Sequence, residues 1–423
     1  MKIIQVTNVE KFVSQIIPKQ SQKTKSIVES ILNDVQKNGD SAVKKYEKKF
    51  TGAQINSLCL SKKEIKEAFS LVSKDKINAI SLAKSKLEKT ERALKSILKN
   101  KIITIDGIKI YKNFIPIQSV GCYIPGGLAK YSSSVIMSVI PAKIAGVKRI
   151  VVVSPPNSKG NIDPLTIVAA NLCGANEIYK TGGAQAIAAL SFGTKSISKV
   201  DKIVGPGGLF VTSAKSLISH RTSIDMLAGP TELGIIADKS ANPKYIALDL
   251  ISQSEHSRDT FCYLITNSVK LAKSVDKIIT NLCKKIKRND LIEKSLKENG
   301  FIAICKNNSD MIDLANQLAP EHLQIMTANP NIFASKITSA GLVLLGHYTP
   351  SSASDYLLGS NHILPTNGFG KTRGALSVFD YMKINTEVSA TKSVLSEISK
   401  SMETFTISEG LPNHYEAVKG RIS

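Results

Sequence analysis

Apolar residues return at helical intervals along the first hundred positions of this 423-residue chain. Between 77 and 98, Ile77, Ile80, Leu87, Leu94, Ile97 and Leu98 recur at spacings near three, four and seven. That places them on one stripe of a helix, with lysines elsewhere. Residues 22–100 read in this way as mainly helical. The period then changes to two in "IITIDGIKIYKN" (102–113), where the central Asp106-Gly107 predicts a hairpin. From about 119, short apolar runs alternate with helical segments. The runs are "VGCYI" (120–124), "RIVVVS" (149–154), "EIYKTG" (177–182), "DKIVG" (201–205) and "LGIIAD" (233–238), with helices around 133–146, 163–174, 184–192 and 209–219. Each connection is long enough for a βαβ crossover, so a parallel, doubly wound sheet is expected. A second series follows in "TFCYLIT" (260–266), "FIAICK" (301–306), "LQIMT" (323–327) and "GLVLLG" (341–346). Two consecutive series predict two related α/β domains. From about 376 the chain reads as helices without strands, and such a tail has to cover its apolar side on the main body or on another subunit.

Charge changes this picture little. A net charge of +22 suggests nucleic acid. Yet only seven of the 56 basic residues are Arg, the residue base readout favours. The lysines are scattered over helices such as "SLAKSKLEKTERALKSILKN" (81–100) without interleaved aromatics. They read as solvated faces, not as a nucleic-acid surface, although the field would still draw in small anions. None of the six cysteines forms a C-x-x-C, and several sit in apolar runs, as expected of reduced core residues in a cytoplasmic protein. The N-terminal residues lack a continuous apolar stretch, so no signal peptide is expected. The most apolar long window (133–156) carries Pro141, Lys143, Lys148 and Arg149, and predicts no membrane span.

Four of the six histidines lie in short stretches crowded with polar groups. In "ISQSEHSRD" (251–259), Gln253 and His256 are three apart and share a face if the segment is helical. In "SDYLLGSNHILPT" (354–366), Asp355 and His362 are seven apart. In "SEGLPNHYEAV" (408–418), Glu409 and His414 bracket a Gly-Leu-Pro turn. Imidazoles and a carboxylate suit a borderline-soft divalent ion, although none of these spacings is a recognised zinc signature. In "APEHLQI" (319–325), Glu321 and His322 abut a strand, where a carboxylate and an imidazole could serve as general base and acid; a surface helix-to-strand junction would read the same. His220 and His347 carry no such company. Three glycine-rich turns, at 123–134, 181–188 and 205–212, each end a strand and open a helix, the geometry that lets backbone approach an anionic ligand. None contains G-x-G-x-x-G.

Taken together, "GCYIPGG", "GGAQAIAALSFGT", "VDKIVGPGG", "IDMLAGPTELGIIAD", "DLISQSEH", "APEHLQI" and "SASDYLLGSNHILPTNGFGKTRGALSVFDYMK", in this order, resemble the histidinol dehydrogenase family. The resemblance runs from about residue 20 to the C terminus. It implies oxidation of L-histidinol to L-histidine in two NAD-dependent steps through L-histidinaldehyde, with one zinc per active site, in a homodimer. It implies zinc ligands Gln253, His256, Asp355 and His414, the last from the partner's tail. Substrate contacts are implied for Thr231, His322, Glu409, His362 and the metal with its ligands. His322 would take the hydroxyl proton, and Glu321 would polarise the water that adds to the aldehyde. Tyr123, Gln185 and Gly208 match cofactor-contacting positions. The sequence departs from the family at Thr231, usually Ser, and at Gly208, commonly Asn.

The expected fold is therefore α/β, with two incomplete Rossmann-like doubly wound domains in an intertwined homodimer. The expected division is a helical arm (1–21), a discontinuous first domain (22–122 with 232–376), a second domain (123–231) and a helical tail (377–423) reaching the partner. Three alternatives stay open: a dehydrogenase of the same fold for another amino alcohol, a non-catalytic binding protein with a weakened NAD site, and, last, a nucleic-acid binder.

Overall fold

The computed structural model describes residues 1–16, 23–126 and 131–423. Positions 17–21 of the expected arm, and 127–130 of the first glycine-rich turn, lie outside the described residues. In chain order the strands are β1 (Lys2–Gln5), β2 (Lys101–Ile105), β3 (Ile108–Pro116), β4 (Ser119–Tyr123), β5 (Arg149–Ser154), β6 (Glu177–Lys180) and β7 (Lys202–Val204). They continue with β8 (Ser223–Ile224), β9 (Glu232–Ala237), β10 (Phe261–Thr266), β11 (Phe301–Ile304), β12 (His322–Met326), β13 (Leu342–Leu345) and β14 (Met382–Ser389).

Among the described residues, two of the three sheets are wholly parallel. The five-stranded sheet has the order β6-β5-β4-β7-β8, and the six-stranded sheet β1-β11-β10-β9-β12-β13. Counting within each series, both run three-two-one-four-five, with β1 added outside the second. The chain therefore reverses direction across each sheet next to its first strand, β4 or β9, where doubly wound sheets open a crevice. The strands are continuous apolar runs because helices cover both faces. In β5, Ile150 to Ser154 are all buried.

Several expectations are corrected by what packs on what. "LGIIAD" opens the six-stranded sheet as β9 and does not close the first series. The helices between Lys23 and Ile97 cover the five-stranded sheet: Val28, Ile31 and Val43 share a core with Val151 and Ile187, while Ile80 and Leu87 share another with Val120 and Val139. The helices between Lys23 and Ile97 thus pack on the five-stranded sheet, and one of these cores also takes in Ile363, Leu376 and Val378. The N-terminal arm is not purely helical, since β1 pairs with β11 before the helix Val9–Ile16. The tail likewise starts with a strand: β14 pairs antiparallel with β3, and β3 with β2 across the Asp106-Gly107 hairpin. β1 and β14 escape a periodicity reading because both lie at sheet edges, with mostly exposed side chains.

One helix sets up the site from behind. Ser132–Ala145 is apolar on nearly all sides and buried between sheet and helices. Pro141 sits inside it and has no N–H for the carbonyl of Met137. That carbonyl instead accepts from the side-chain amide of Asn361 at 2.8 Å, and the next, of Ser138, from the Tyr381 hydroxyl at 2.8 Å. A helix irregularity so becomes the anchor for the loop that carries His362.

Candidate active site

Opposite ends of the two parallel sheets build one cleft. From the five-stranded sheet come the carboxyl ends of β4 and β7, with Pro125 and Pro206–Gly208. From the six-stranded sheet come the amino ends of β9 and β12, with Thr231, Glu321 and His322. Glu321 and His322 stand at the head of β12, so the pair meets the cleft at the amino end of its strand. The cavity measures about 490 Å³ and is also lined by Gln253, His256, Asp355 and His362.

Local structure fixes each side chain. The helix Pro243–Ser254 carries Gln253 near its end, with His256 in the turn just beyond. Asp355 caps the short helix Ser351–Ser354. His362 follows on the anchored loop, its Nδ1 2.7 Å from the carbonyl of Asp355 and its Nε2 3.3 Å from Ser134 Oγ. On the opposite wall, Gly205 has φ +112°, and a Cβ there would lie 2.1 Å from the carbonyl oxygen of Tyr123, so only glycine fits. The buried pair Lys215–Asp225 grips this glycine at both ends: Lys215 Nζ donates to its carbonyl at 3.0 Å, and its N–H donates to Asp225 Oδ2 at 2.7 Å.

Hydrogen bonds then aim the reactive groups. Gln253 Nε2 donates to Thr231 Oγ1 at 2.8 Å, and the Thr231 hydroxyl donates in turn to Glu321 Oε2. The same oxygen accepts the backbone N–H of Glu232 at 2.8 Å. With its nitrogen committed, Gln253 turns Oε1 away from Thr231 and toward Ser351 Oγ, 3.5 Å away. His322 is 2 % exposed, and its Nδ1 lies 3.4 Å from the Glu232 carbonyl and 3.7 Å from Glu321 Oε2. Its Nε2 lies 3.4 Å from Asp355 Oδ1 but outside hydrogen-bonding alignment, and so is buried without a hydrogen-bond partner.

Charge follows from this geometry. Burial alone would lower the His322 imidazole, but the Glu321 and Asp355 carboxylates outweigh it and lift it to about 10. Burial works against the Asp355 carboxylate too, yet His322 foremost, then His362 and His256, hold it below the ordinary value. Glu232, at the head of β9, is pushed up to about 8 by burial; the Asn367 amide opposes this and the Glu321 charge adds to it.

The structure brings together Thr231, Gln253, His256, Glu321, His322, Asp355, His362 and Gly208. It does not bring the others to this cleft. Tyr123 and Gln185 are buried beneath the carboxyl ends of the five-stranded sheet: the Tyr123 hydroxyl accepts from Gly183 N–H at 3.1 Å, and Gln185 Nε2 donates to Glu47 at 2.8 Å. Glu409 and His414 are exposed on the tail. Among the described residues no three His, Cys, Asp or Glu side chains form a metal cluster. A zinc site would draw one amide, one imidazole and one carboxylate from this chain, a donor set that fits the Gln253 Oε1, held only by a long 3.5 Å contact to Ser351 Oγ, and the charged Asp355. Sequence reasoning missed Glu232, Asn361 and the Lys215–Asp225 pair. A charge heading the apolar run "ELGIIA" was the available signal for the first.

A buried carboxylate and imidazole on the wall of a cleft between two parallel α/β sheets define an enzyme that moves protons on a small substrate. Comparison with known proteins makes this specific. The family model described as histidinol dehydrogenase matches residues 17–422. The histidinol dehydrogenase of Lactococcus lactis subsp. lactis is 40% identical over 95% of this chain and 93% of its own. That of Methanococcus maripaludis is 42% identical over 94% and 93%. The crystal structure of histidinol dehydrogenase from Elizabethkingia anophelis superposes with a TM-score of 0.94 at 36% identity, covering 100% of this chain and 98% of that one. The chain belongs to the histidinol dehydrogenase family, and is an oxidoreductase rather than a non-catalytic binding protein.

Proposed function

We propose that this enzyme oxidises L-histidinol to L-histidine through L-histidinaldehyde with reduction of two NAD+, the last step of histidine biosynthesis. In this reading it is a zinc-dependent cytoplasmic homodimer with two incomplete Rossmann-like halves. The observation that carries the reading is the head of β12, where, in a chain of this family, Glu321 and His322 stand side by side on the cleft wall with His322 Nε2 unpartnered.

Gln253, His256 and Asp355 would hold the zinc together with His414 of the partner subunit. Bound zinc supplies a fixed charge that orients the amine and imidazole of the substrate, and NAD+ is the hydride acceptor. The chain's own groups do the rest. Thr231, His362 and the partner's Glu409 hold the substrate with His322. His322, in its neutral form, accepts the hydroxyl proton as hydride leaves carbon; that form is favoured once the Asp355 charge that, after Glu321, raises the imidazole is committed to the metal. Glu321 takes a proton from the water that adds to the aldehyde, and the hydrate gives up the second hydride. Walls on both sheets shield the aldehyde between steps. Gly208 on the cleft rim would meet the cofactor, with Tyr123 and Gln185 behind the same strand ends.

The shared three-two-one-four-five strand order supports the Rossmann-like reading. Exposed apolar residues support the dimer: Ile102, Ile103, Ile105, Ile384 and Val388 on the three-stranded sheet, and Phe405 and Ile407 on the tail. No described helix is long and apolar enough to cross a membrane. The test is NADH formation from L-histidinol before and after chelation, and after zinc is returned. Loss and recovery are expected; equal rates with non-imidazole amino alcohols, or indifference to chelation, would reject the reading.

A further inference from the structure

The side chain of Glu232 is used by none of the steps above, yet its two oxygens accept from two separate walls of the site. It heads β9 directly opposite Glu321 and is 8 % exposed. Its Oε2 accepts the backbone N–H of Glu321 at 3.1 Å, while its own N–H donates to Glu321 Oε2 at 2.8 Å. Each glutamate thus satisfies the other's backbone at the place where the ladder between β9 and β12 begins. Its backbone carbonyl faces His322 Nδ1.

The other carboxylate oxygen reaches a third wall. Glu232 Oε1 accepts the backbone N–H of Asn367 at 2.9 Å. Asn367 has φ +54° and is followed by Gly368 at +77°, so the turn starts with a non-glycine residue in the left-handed region and needs outside support. Just before it, Thr366 Oγ1 accepts the N–H of Gly229, and both residues line the cleft. One carboxylate therefore ties the strand carrying Glu321 to the turn at 366–368 and, through that turn, to the segment leading to Thr231.

We propose that Glu232 is a positioning residue that sets where the Glu321 carboxylate stands relative to the cleft. The proposal rests on the reading of Glu321 as the group that polarises water. Glu232 meets His322 through its backbone carbonyl, which a side-chain substitution leaves in place, so Glu321 and its half-reaction should suffer more.

The test uses Glu232→Ala and the isosteric Glu232→Gln, which keeps one acceptor and presents an amide N–H to the other donor. Histidinol and histidinaldehyde oxidation are measured separately, and amide hydrogen exchange is followed in peptides carrying Glu321, Asn367 and, as control, Ile235. In Glu232→Ala, kcat for the aldehyde should fall about tenfold more than kcat for the alcohol, with KM little changed. Exchange should accelerate at Glu321 and Asn367 and not at Ile235, with Glu232→Gln intermediate in both. Equal loss in the two half-reactions, or unchanged exchange at Glu321 and Asn367, would overturn the proposal. Should the parent protein oxidise neither substrate, the histidinol reading fails by itself, and exchange alone decides the role of Glu232. If the alanine variant does not fold, the glutamine variant decides.

Discussion

The side-chain amide of Asn361 donates at 2.8 Å to the carbonyl of Met137, the group that Pro141 leaves without its helical donor. A missing N–H in one helix thereby holds the loop of His362. Asn361→Ala should cost about 1–2 kcal/mol, the price of a buried hydrogen bond with one partner left unsatisfied. In a Pro141→Ala background the helix recovers its own donor, so the same substitution should cost clearly less. Urea unfolding of the four proteins of this double-mutant cycle measures the difference; equal costs would mean that the two residues are not coupled.

Gly208 tests the cofactor side. It caps the helix Leu209–Ile218 at φ −68°, ordinary for any residue, and a Cβ there meets nothing within 4 Å. Gly208→Asn should therefore fold normally and place an amide at the cleft rim. A several-fold lower KM for NAD+ with unchanged thermal stability is expected from steady-state kinetics, about 1 kcal/mol for one added hydrogen bond. An unchanged or higher KM would show that the rim does not contact the cofactor.

Glu91 gives a pH dependence remote from the site. It is buried against the segment at 378 and accepts the Val378 N–H at 2.7 Å. Burial foremost pushes its carboxyl to about 7, against 4.5 when free; the Val378 amide opposes this and Asp380 adds to it. The folded state thus binds a proton that the unfolded state releases, so this group's contribution is full below about pH 4.5 and is lost as pH rises through about 7. Glu91→Gln should flatten the stability profile between these limits and be relatively more stable at pH 8 than at pH 5. Parallel unfolding curves for both proteins across that range would contradict the assignment.

The tail tests subunit exchange. His414 is exposed on Pro412–Ile422, a helix without buried residues. If it completes the partner's site, His414→Asn and His256→Asn are each inactive alone, and dissociated and reassociated mixtures recover activity through heterodimers with one intact site. No recovery in verified heterodimers would place the ligand within one chain.

Much of this was legible in the sequence, and the misses share a cause. The buried strands β5, β10 and β12 announce themselves as apolar runs because both faces are covered. β1 and β14 do not, because an edge strand with solvent on one side has no run to show. The helices before residue 100 were legible as helices but not as partners of the five-stranded sheet, since an amphipathic stripe records that a face is buried and not against what. At the site, Gln253, His256 and Asp355 are legible as stretches crowded with polar groups, and Glu321 and His322 as a carboxylate and an imidazole at the head of an apolar strand. Glu232 was hidden because its work is done on backbone amides, and Asn361 because the proline that makes it necessary lies more than two hundred residues earlier.

The central claim is that one cleft carries out both oxidations, with Glu321 serving the second. The most direct measurement is the number of NADH formed per L-histidinol under limiting substrate, in the unmodified enzyme and in Glu321→Gln. Two are expected for the former, and close to one, with histidinaldehyde trapped by semicarbazide, for the variant at early times. One NADH from the unmodified enzyme, or equal slowing of both steps in the variant, would contradict it.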